Sequence, residues 1–382
     1  MKKRIAAMVL AGAMALSLAP AYGVTEVKAE AGDMKIAMVT DSGDITDQSF
    51  NQTTYEACKA WSEENGSEFN YYKPESDSDE ARNASVDQAV ADGANVIVLP
   101  GYMFAATIVE QSEMYPDVKF IAPDVSAGDI CEKGVGEGYN YNPDDYEVTD
   151  YYNADNVYCC TYQEEISGYM AGYAAVKLGY KHLGFLGGMS VPAVTRFGYG
   201  YVQGVDEAAK ELGITSDVEL EYVCGGQFYG DADITAYMDT WYGSKGVEVV
   251  FACGGGIYTS AVEAAEQYDG KVIGVDVDQR PKIGDLCITS AMKGLGSAVN
   301  SALDAYFGGN WASIGGKSEQ LGLAQGDYLG LPTDTDSWGF TTFTVDEYNT
   351  VLDGLKDGSI TVSNDTENQP EVGSHVTVDY VE

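Results

Sequence analysis

Histidine is almost missing from this chain: His182 and His375 are the only two in 382 residues. His182 leads into an apolar run and His375 lies in the C-terminal tail, so neither stands with a serine or cysteine in a catalytic triad, and no G-x-S-x-G elbow occurs. A transition-metal site built on imidazole has the same difficulty. Basic residues are scarce as well. Against 60 Asp and Glu there are 21 Lys and Arg, a formal net charge of −39, and such a field repels nucleic acid and anionic lipid alike. The seven cysteines (58, 131, 159, 160, 224, 253, 287) fit neither C-x-x-C nor a zinc spacing. Cys58, Cys224, Cys253 and Cys287 sit in or beside apolar periodic segments, which favours buried thiols over a disulfide framework. Apolar runs long enough for a membrane helix are missing after the first 29 residues.

Those first residues have their own logic. Lys2, Lys3 and Arg4 precede an apolar stretch at 5–18, and small-residue cleavage sites follow at Ala19-Pro20-Ala21 and Val27-Lys28-Ala29. Residues 1–29 read as a cleaved export signal, which places the mature protein outside the cytoplasmic membrane: extracellular, at the cell surface, or periplasmic where the envelope has two membranes. Removing them takes away four cations (Lys2, Lys3, Arg4, Lys28) and one anion (Glu26), leaving about −42. None of the cysteines falls in this segment, so no lipid-attachment cysteine is available and the mode of retention is open.

The rest is long enough for two domains. Short β-branched runs at 36–39, 94–99, 119–123, 157–161, 182–186, 218–224, 247–252, 272–275 and 287–290 alternate with helical patterns, the signature of parallel sheets with crossover helices. Residues 125–156, rich in Gly, Asp, Asn and Tyr, break the rhythm and read as a domain crossover carrying an insertion. The expected layout is an α/β protein of two doubly wound lobes: 34–125 plus 285–318 in the first, 126–156 as crossover and insertion, and 157–284 plus 319–382 in the second. No internal repeat at a fixed period is visible.

Ligands of such sheets bind at the carboxyl ends of the strands, and five strand-end loops carry chemistry there. The first, TDSGDITDQSFNQ (40–52), joins Asp41, Phe50 and Asn51 in one strand-to-helix turn. The acids and amide suit hydrogen-bond donors and Phe50 offers a stacking face, although Asp and Asn also cap helices. The second is Asp124, directly after an apolar strand. The third, 187–197, runs from a glycine pair to Phe197 at a helix start, where a core ring is the plainer use. The fourth is Gly254-Gly255-Gly256, a strand–glycine–helix turn with neither the Lys-Ser/Thr of a P-loop nor G-x-G-x-x-G, better matched to neutral hydroxyls than to phosphate. The fifth sets Asp276-Val277-Asp278 beside a second strand ending in Lys293. Two acids are too few for a calcium cage, so a vicinal diol is the better partner for Asp276, with Lys293 nearby. Neither a metal nor a cofactor is expected.

Five ordered blocks then resemble the basic membrane protein family, the substrate-binding proteins of ABC importers: TDSGDITDQSFNQ itself, EISGYMAGYAA (165–175), LGFLGG (183–188) with VPAVTRFGYGYVQGV (191–205), VIGVDVDQ (272–279) and ITSAMK (288–293). The resemblance implies a type I periplasmic-binding-protein fold, two lobes joined by a multi-crossover hinge. It further implies a nucleoside ligand, probably a purine nucleoside in that family's usual range, and ABC permease and ATPase subunits as partners, with the membrane reached only through the permease or a tether. Phe50 and Phe197 would sandwich the base, Asp41, Asn51 and Asp124 would address its polar edges, and Asp276, Lys293 and an amide near Gly255 would hold the ribose. Tyr258, where the family has further glycine, is expected near the ribose end, and the insertion 129–156 over the cleft. A sugar or other small polar ligand is the alternative within the class. A nucleoside hydrolase is the alternative outside it.

Overall fold

The computed structural model describes residues 33–41, 43–214 and 218–381; the expected export segment lies outside the described residues. Thirteen strands alternate with eleven helices among them. The strands are β1 (Lys35–Val39), β2 (Glu68–Tyr72), β3 (Val96–Val98), β4 (Lys119–Pro123), β5 (Val157–Tyr162), β6 (His182–Gly187), β7 (Val218–Cys224), β8 (Val249–Cys253), β9 (Lys271–Asp276), β10 (Cys287–Lys293), β11 (Ser318–Leu321), β12 (Leu329–Gly330) and β13 (Val376–Tyr380). The helices are α1 (Phe50–Asn65), α2 (Asp79–Ala91), α3 (Ala105–Met114), α4 (Ala127–Val135), α5 (Glu164–Lys177), α6 (Pro192–Glu211), α7 (Ala232–Asp239), α8 (Tyr258–Tyr268), α9 (Arg280–Ile283), α10 (Leu295–Phe307) and α11 (Val345–Asp357).

Two sheets result. The first is parallel throughout, in the order β11-β5-β4-β3-β1-β2. The second runs β12-β10-β9-β8-β6-β7-β13, with only β12 antiparallel. Central strands such as β3 and β8 are buried along their whole length, as sheets covered on both faces require. The shared core order is the same in both lobes, β2-β1-β3-β4-β5 and β7-β6-β8-β9-β10, so the second lobe repeats the topology of the first. In this order the sheet reverses between β1 and β3 in one lobe and between β6 and β8 in the other. Those are the two switch points where a crevice opens.

The lobes exchange helices. After β5 the chain passes at Gln163 into α5, which packs on α6 of the second lobe; after β10 it passes at Gly294 into α10, which packs on α1 of the first. A third passage, 322–328, links β11 to β12. The α5–α6 contact is made backbone to backbone. A Cβ at Gly168 or Gly172 would drive into the carbonyl oxygens of Phe197 and Tyr201, and one at Gly200 or Gly204 into those of Glu165 and Tyr169. Small residues four apart on both helices permit that approach.

The expected lobe boundaries need correction. Residues 157–162, placed in the second lobe, pair with β4 in the first sheet, and residues 287–293, placed in the first lobe, pair with β9 in the second. Segment 126–156 is therefore no crossover: it connects neighbouring strands of one sheet. It opens with α4, capped reciprocally by Ser126 and Asp129, and continues in a tyrosine cluster of Tyr139, Tyr141, Tyr146 and Tyr151. All seven cysteines are free thiols, six of them buried.

Candidate functional site

The strand-end loops of both lobes converge on a cavity of about 680 Å³, and all eight residues singled out from the sequence line it: Asp41, Phe50, Asn51, Asp124, Phe197, Gly255, Asp276 and Lys293. The fold explains why. Phe50 opens α1 after β1, and Phe197 lies in the second turn of α6 after β6, so the rings come from corresponding helices of the two lobes. Asp124 follows β4 and Asp276 ends β9, again equivalent, and both hold left-handed backbone, φ 64° and 65°, which non-glycine residues seldom adopt.

The floor is a buried chain of alternating charge. Lys293 pairs with Asp124 and, at 3.0 Å, with Glu164; Glu164 accepts from Arg196 Nε at 2.6 Å. Burial works against the Lys293 cation, but Asp124, Glu164 and Asp276 more than compensate and hold its pKa above the ordinary lysine value. Burial likewise opposes the Glu164 carboxylate, and Arg196 and Lys293 prevail, so it stays below its usual range. The Lys293 ammonium lies 5.4 Å from the Phe50 ring centroid, 5.9 Å from that of Phe197 and 5.1 Å from that of Tyr162. Rings from both lobes thus face one cation.

Asp41 is pushed up to about 6 by burial, against hydrogen bonds from Gly43 N–H at 2.6 Å and Asn51 Nδ2 at 2.8 Å. Asp276 reaches about 6 for the same reason, opposed by Lys293 and by the Ser49 hydroxyl, which donates to it across the cleft. Gln279 Nε2 makes a second cross-cleft bond, 3.0 Å to the carbonyl of Gln48. These contacts between the β1 loop and the end of β9 draw the lobes together.

Several expectations change in detail. Asn51, expected at the edge of a base, has its amide N–H groups committed to Asp41 and to Asp47 at 3.2 Å, and so positions Asp41. Asp47 accepts from the N–H groups of Ser49, Asn51 and Gln52 and so secures the start of α1, and Asp44 pairs with Lys73. Tyr258 is buried in the core of the second lobe and does not line the cavity, because the α8 start turns it inward. Of the insertion 129–156, only Asp129 reaches the cavity; the rest packs around α4. The glycine loop serves conformation and space: Gly254 and Gly255 have φ of 141° and 50°, and Gly256 N–H is taken by the carbonyl of Phe228.

Phe228 itself was missed, as were Glu164, Arg196 and Ser49. The Phe228 ring lies in a groove between Gly188 and Gly254, where a Cβ on either would collide with it. The two glycine loops were the available signal, since glycine after two adjacent strands leaves room for a ring from a third loop.

Two α/β lobes closing on one cavity at both switch points define a solute-binding protein of the type I periplasmic-binding-protein fold. The family model Bmp, an ABC transporter substrate-binding protein, PnrA-like, matches residues 34–346, and the chain belongs to that family. The ABC transporter nucleoside-binding protein BmpA of Lactococcus lactis subsp. cremoris is 27% identical over 294 residues, 71% of this chain and 74% of that protein. Basic membrane protein B of Borreliella burgdorferi is 28% identical over 312 residues, 80% and 83% respectively. Among solved structures, an ABC solute-binding protein of Aeropyrum pernix K1 superposes with a TM-score of 0.65 at 20% identity, covering 86% of this chain and 87% of that one. Another from Conexibacter woesei gives 0.64 at 20%, covering 87% and 99%. At such identities these two likenesses speak for the fold.

Proposed function

We propose that this protein captures a nucleoside, best a purine nucleoside, between its lobes and delivers it to an ABC permease driven by a separate ATPase. The observation that carries the reading is the pair Phe50 and Phe197, rings from opposite lobes lining one cavity over a shared cation. A flat base between two such faces stacks on both. The polar groups around them suit a neutral ligand rich in hydrogen-bond donors. Asp41, Asp124 and Asp276 accept, while the cations Lys293 and Arg196 are already matched by buried acids, which leaves no free positive cluster for a phosphate. Ribose hydroxyls fit beside Asp276 and Lys293. The nucleoside-binding relative in Lactococcus lactis supports the same ligand class.

Among the described residues, no helix is long and apolar enough to cross a membrane, and the expected export signal accords with a receptor that meets its permease from outside. The test is calorimetric titration of the purified protein with inosine, adenosine, guanosine, uridine, ribose and free bases, with product analysis of each mixture. Saturable binding of nucleosides without turnover is expected. Binding of ribose or other sugars alone would move the ligand to the sugar class, and release of free base would make the protein a nucleoside-cleaving enzyme.

A further inference from the structure

The side chains beside the Phe50 ring are richer in acceptors than in donors. Asn51 is 2% exposed, and its amide is oriented by two carboxylates: Nδ2 donates to Asp41 Oδ1 and Asp47 Oδ2. The reverse orientation would aim Oδ1 at both anions, so the network fixes which way the amide points. Asn51 therefore has no N–H left for a ligand. Asp41 uses Oδ1 for Gly43 and Asn51, and its Oδ2 accepts from nothing among the described residues. Asp124 gives Oδ2 to Lys293, and its Oδ1 is buried without a partner.

Most of the other donors on this wall are committed. Thr46 and Lys73 donate to Asp44, Ser126 to Asp129, Gly43 N–H to Asp41 and Gly101 N–H to the carbonyl of Pro123. What remains is the Tyr102 hydroxyl, which accepts as readily as it donates, and the N–H groups that Lys73 and Lys293 keep beyond their ion pairs with Asp44 and with Asp124 and Glu164. Position relative to the ring is fixed too: a Cβ placed on Gly101 would lie 3.7 Å from Phe50 Cε1 and 3.8 Å from Asp41 Oδ2. Asp41 Oδ2 and the edge of the Phe50 ring therefore flank the same glycine.

We propose that this acceptor wall selects bases with two adjacent N–H donors on one edge, the 2-amino-6-oxopurine pattern of guanosine, over those that present an acceptor there. The inference rests on the nucleoside reading. Guanine offers N1–H and the 2-amino group side by side to a carboxylate. Hypoxanthine offers N1–H alone. Adenine sets the N1 lone pair beside its amino group, so one acceptor would face another. Hydrogen bonds to charged groups are the strong ones, and an unmatched buried acceptor costs more than a missing bond.

The experiment is competitive titration of guanosine, inosine, adenosine and N1-methylguanosine at about pH 8, well above the Asp41 value of about 6, on the wild-type protein and on Asp41→Asn. Guanosine should bind about 10-fold tighter than inosine and ~100-fold tighter than adenosine, and N1-methylation should cost ~100-fold. In Asp41→Asn, whose amide can donate, the guanosine-to-adenosine ratio should shrink about 10-fold or more. Adenosine equal to guanosine, or indifference to N1-methylation, would overturn the acceptor-wall selection while leaving the nucleoside reading standing. Failure of every nucleoside to bind would overturn both. The wild-type panel decides the matter even where Asp41→Asn fails to fold.

Discussion

Replacing Lys293 by Met tests the charge chain under the cleft. Lys293 is 4% exposed and ends β10 in the second sheet, while its partner Asp124 follows β4 in the first, so the pair bridges the lobes where the chain crosses. Methionine keeps most of the apolar stem, which makes the cavity term small. What changes is charge. Glu164 retains Arg196 at 2.6 Å, but Asp124 loses its only cation, with one oxygen already unpartnered. Removing one member of a buried pair costs about 3–5 kcal/mol, and the surviving Glu164–Arg196 pair argues for the lower end, about 3 kcal/mol. In a protein of this size that is a fall in Tm of roughly 4 °C, readable by circular dichroism melting and urea unfolding. The double variant Asp124→Asn/Lys293→Met should recover about 2 kcal/mol of the loss, since removing both charges leaves neither stranded. A Tm within about 1 °C of wild type for Lys293→Met, or a double variant no better than the single, would refute the account.

Phe50→Ala and Phe197→Leu should each weaken nucleoside binding by about 1–3 kcal/mol in calorimetry, and unchanged affinity in both would remove the sandwich. The pH response of the free protein should run opposite to that of binding. Asp41 and Asp276, at about 6, and Glu165, at about 7 through burial beside Glu164, all favour the folded state when protonated. Their stabilisation is whole below the unfolded values of 3.8 and 4.5 and is lost as pH rises through 6 to 7, so Tm without ligand should rise between about pH 7.5 and pH 5. Nucleoside affinity should fall over the same interval, because protonated Asp41 and Asp276 accept less well. Ser49→Ala removes the hydroxyl bond to Asp276 and should shift lobe closure by about 1 kcal/mol or more, seen as a larger radius of gyration in solution scattering without ligand and as weaker binding.

Much of the architecture was legible because parallel strands buried on both faces write themselves as apolar runs, and their polar ends mark the cavity. The eight residues singled out lie in those strand-end loops, and the family resemblance chose them from among the capping and core uses that the pattern left open. What was not legible has physical causes. β2 (EFNYY) and β13 (VTVDY) are edge strands with partly exposed side chains, so the apolar run that marks a central strand is absent. Lobe membership of β5 and β10 is decided by partners far away in sequence, and nothing within VYCCTY or CITSAMK says which sheet it will join. The repeated strand order of the two lobes left no repeat in residues because topology constrains burial, not identity. The capping pair Ser126 and Asp129 was the available signal for α4, in a segment read from the sequence as irregular.

The exchange of elements between lobes also governs when the protein can become itself. The first sheet lacks its edge until residues 318–321 arrive, and the second lacks its own until residues 376–380 pair with β7. A chain emerging from its N-terminus can form local βα units early, but neither lobe can close before nearly the whole polypeptide is present. Loss of even the last dozen residues would leave β7, deep in the sequence order, as an open edge available to another chain. For this molecule the C-terminus is the final staple of its middle, and truncation there is a route to aggregation rather than to a smaller receptor.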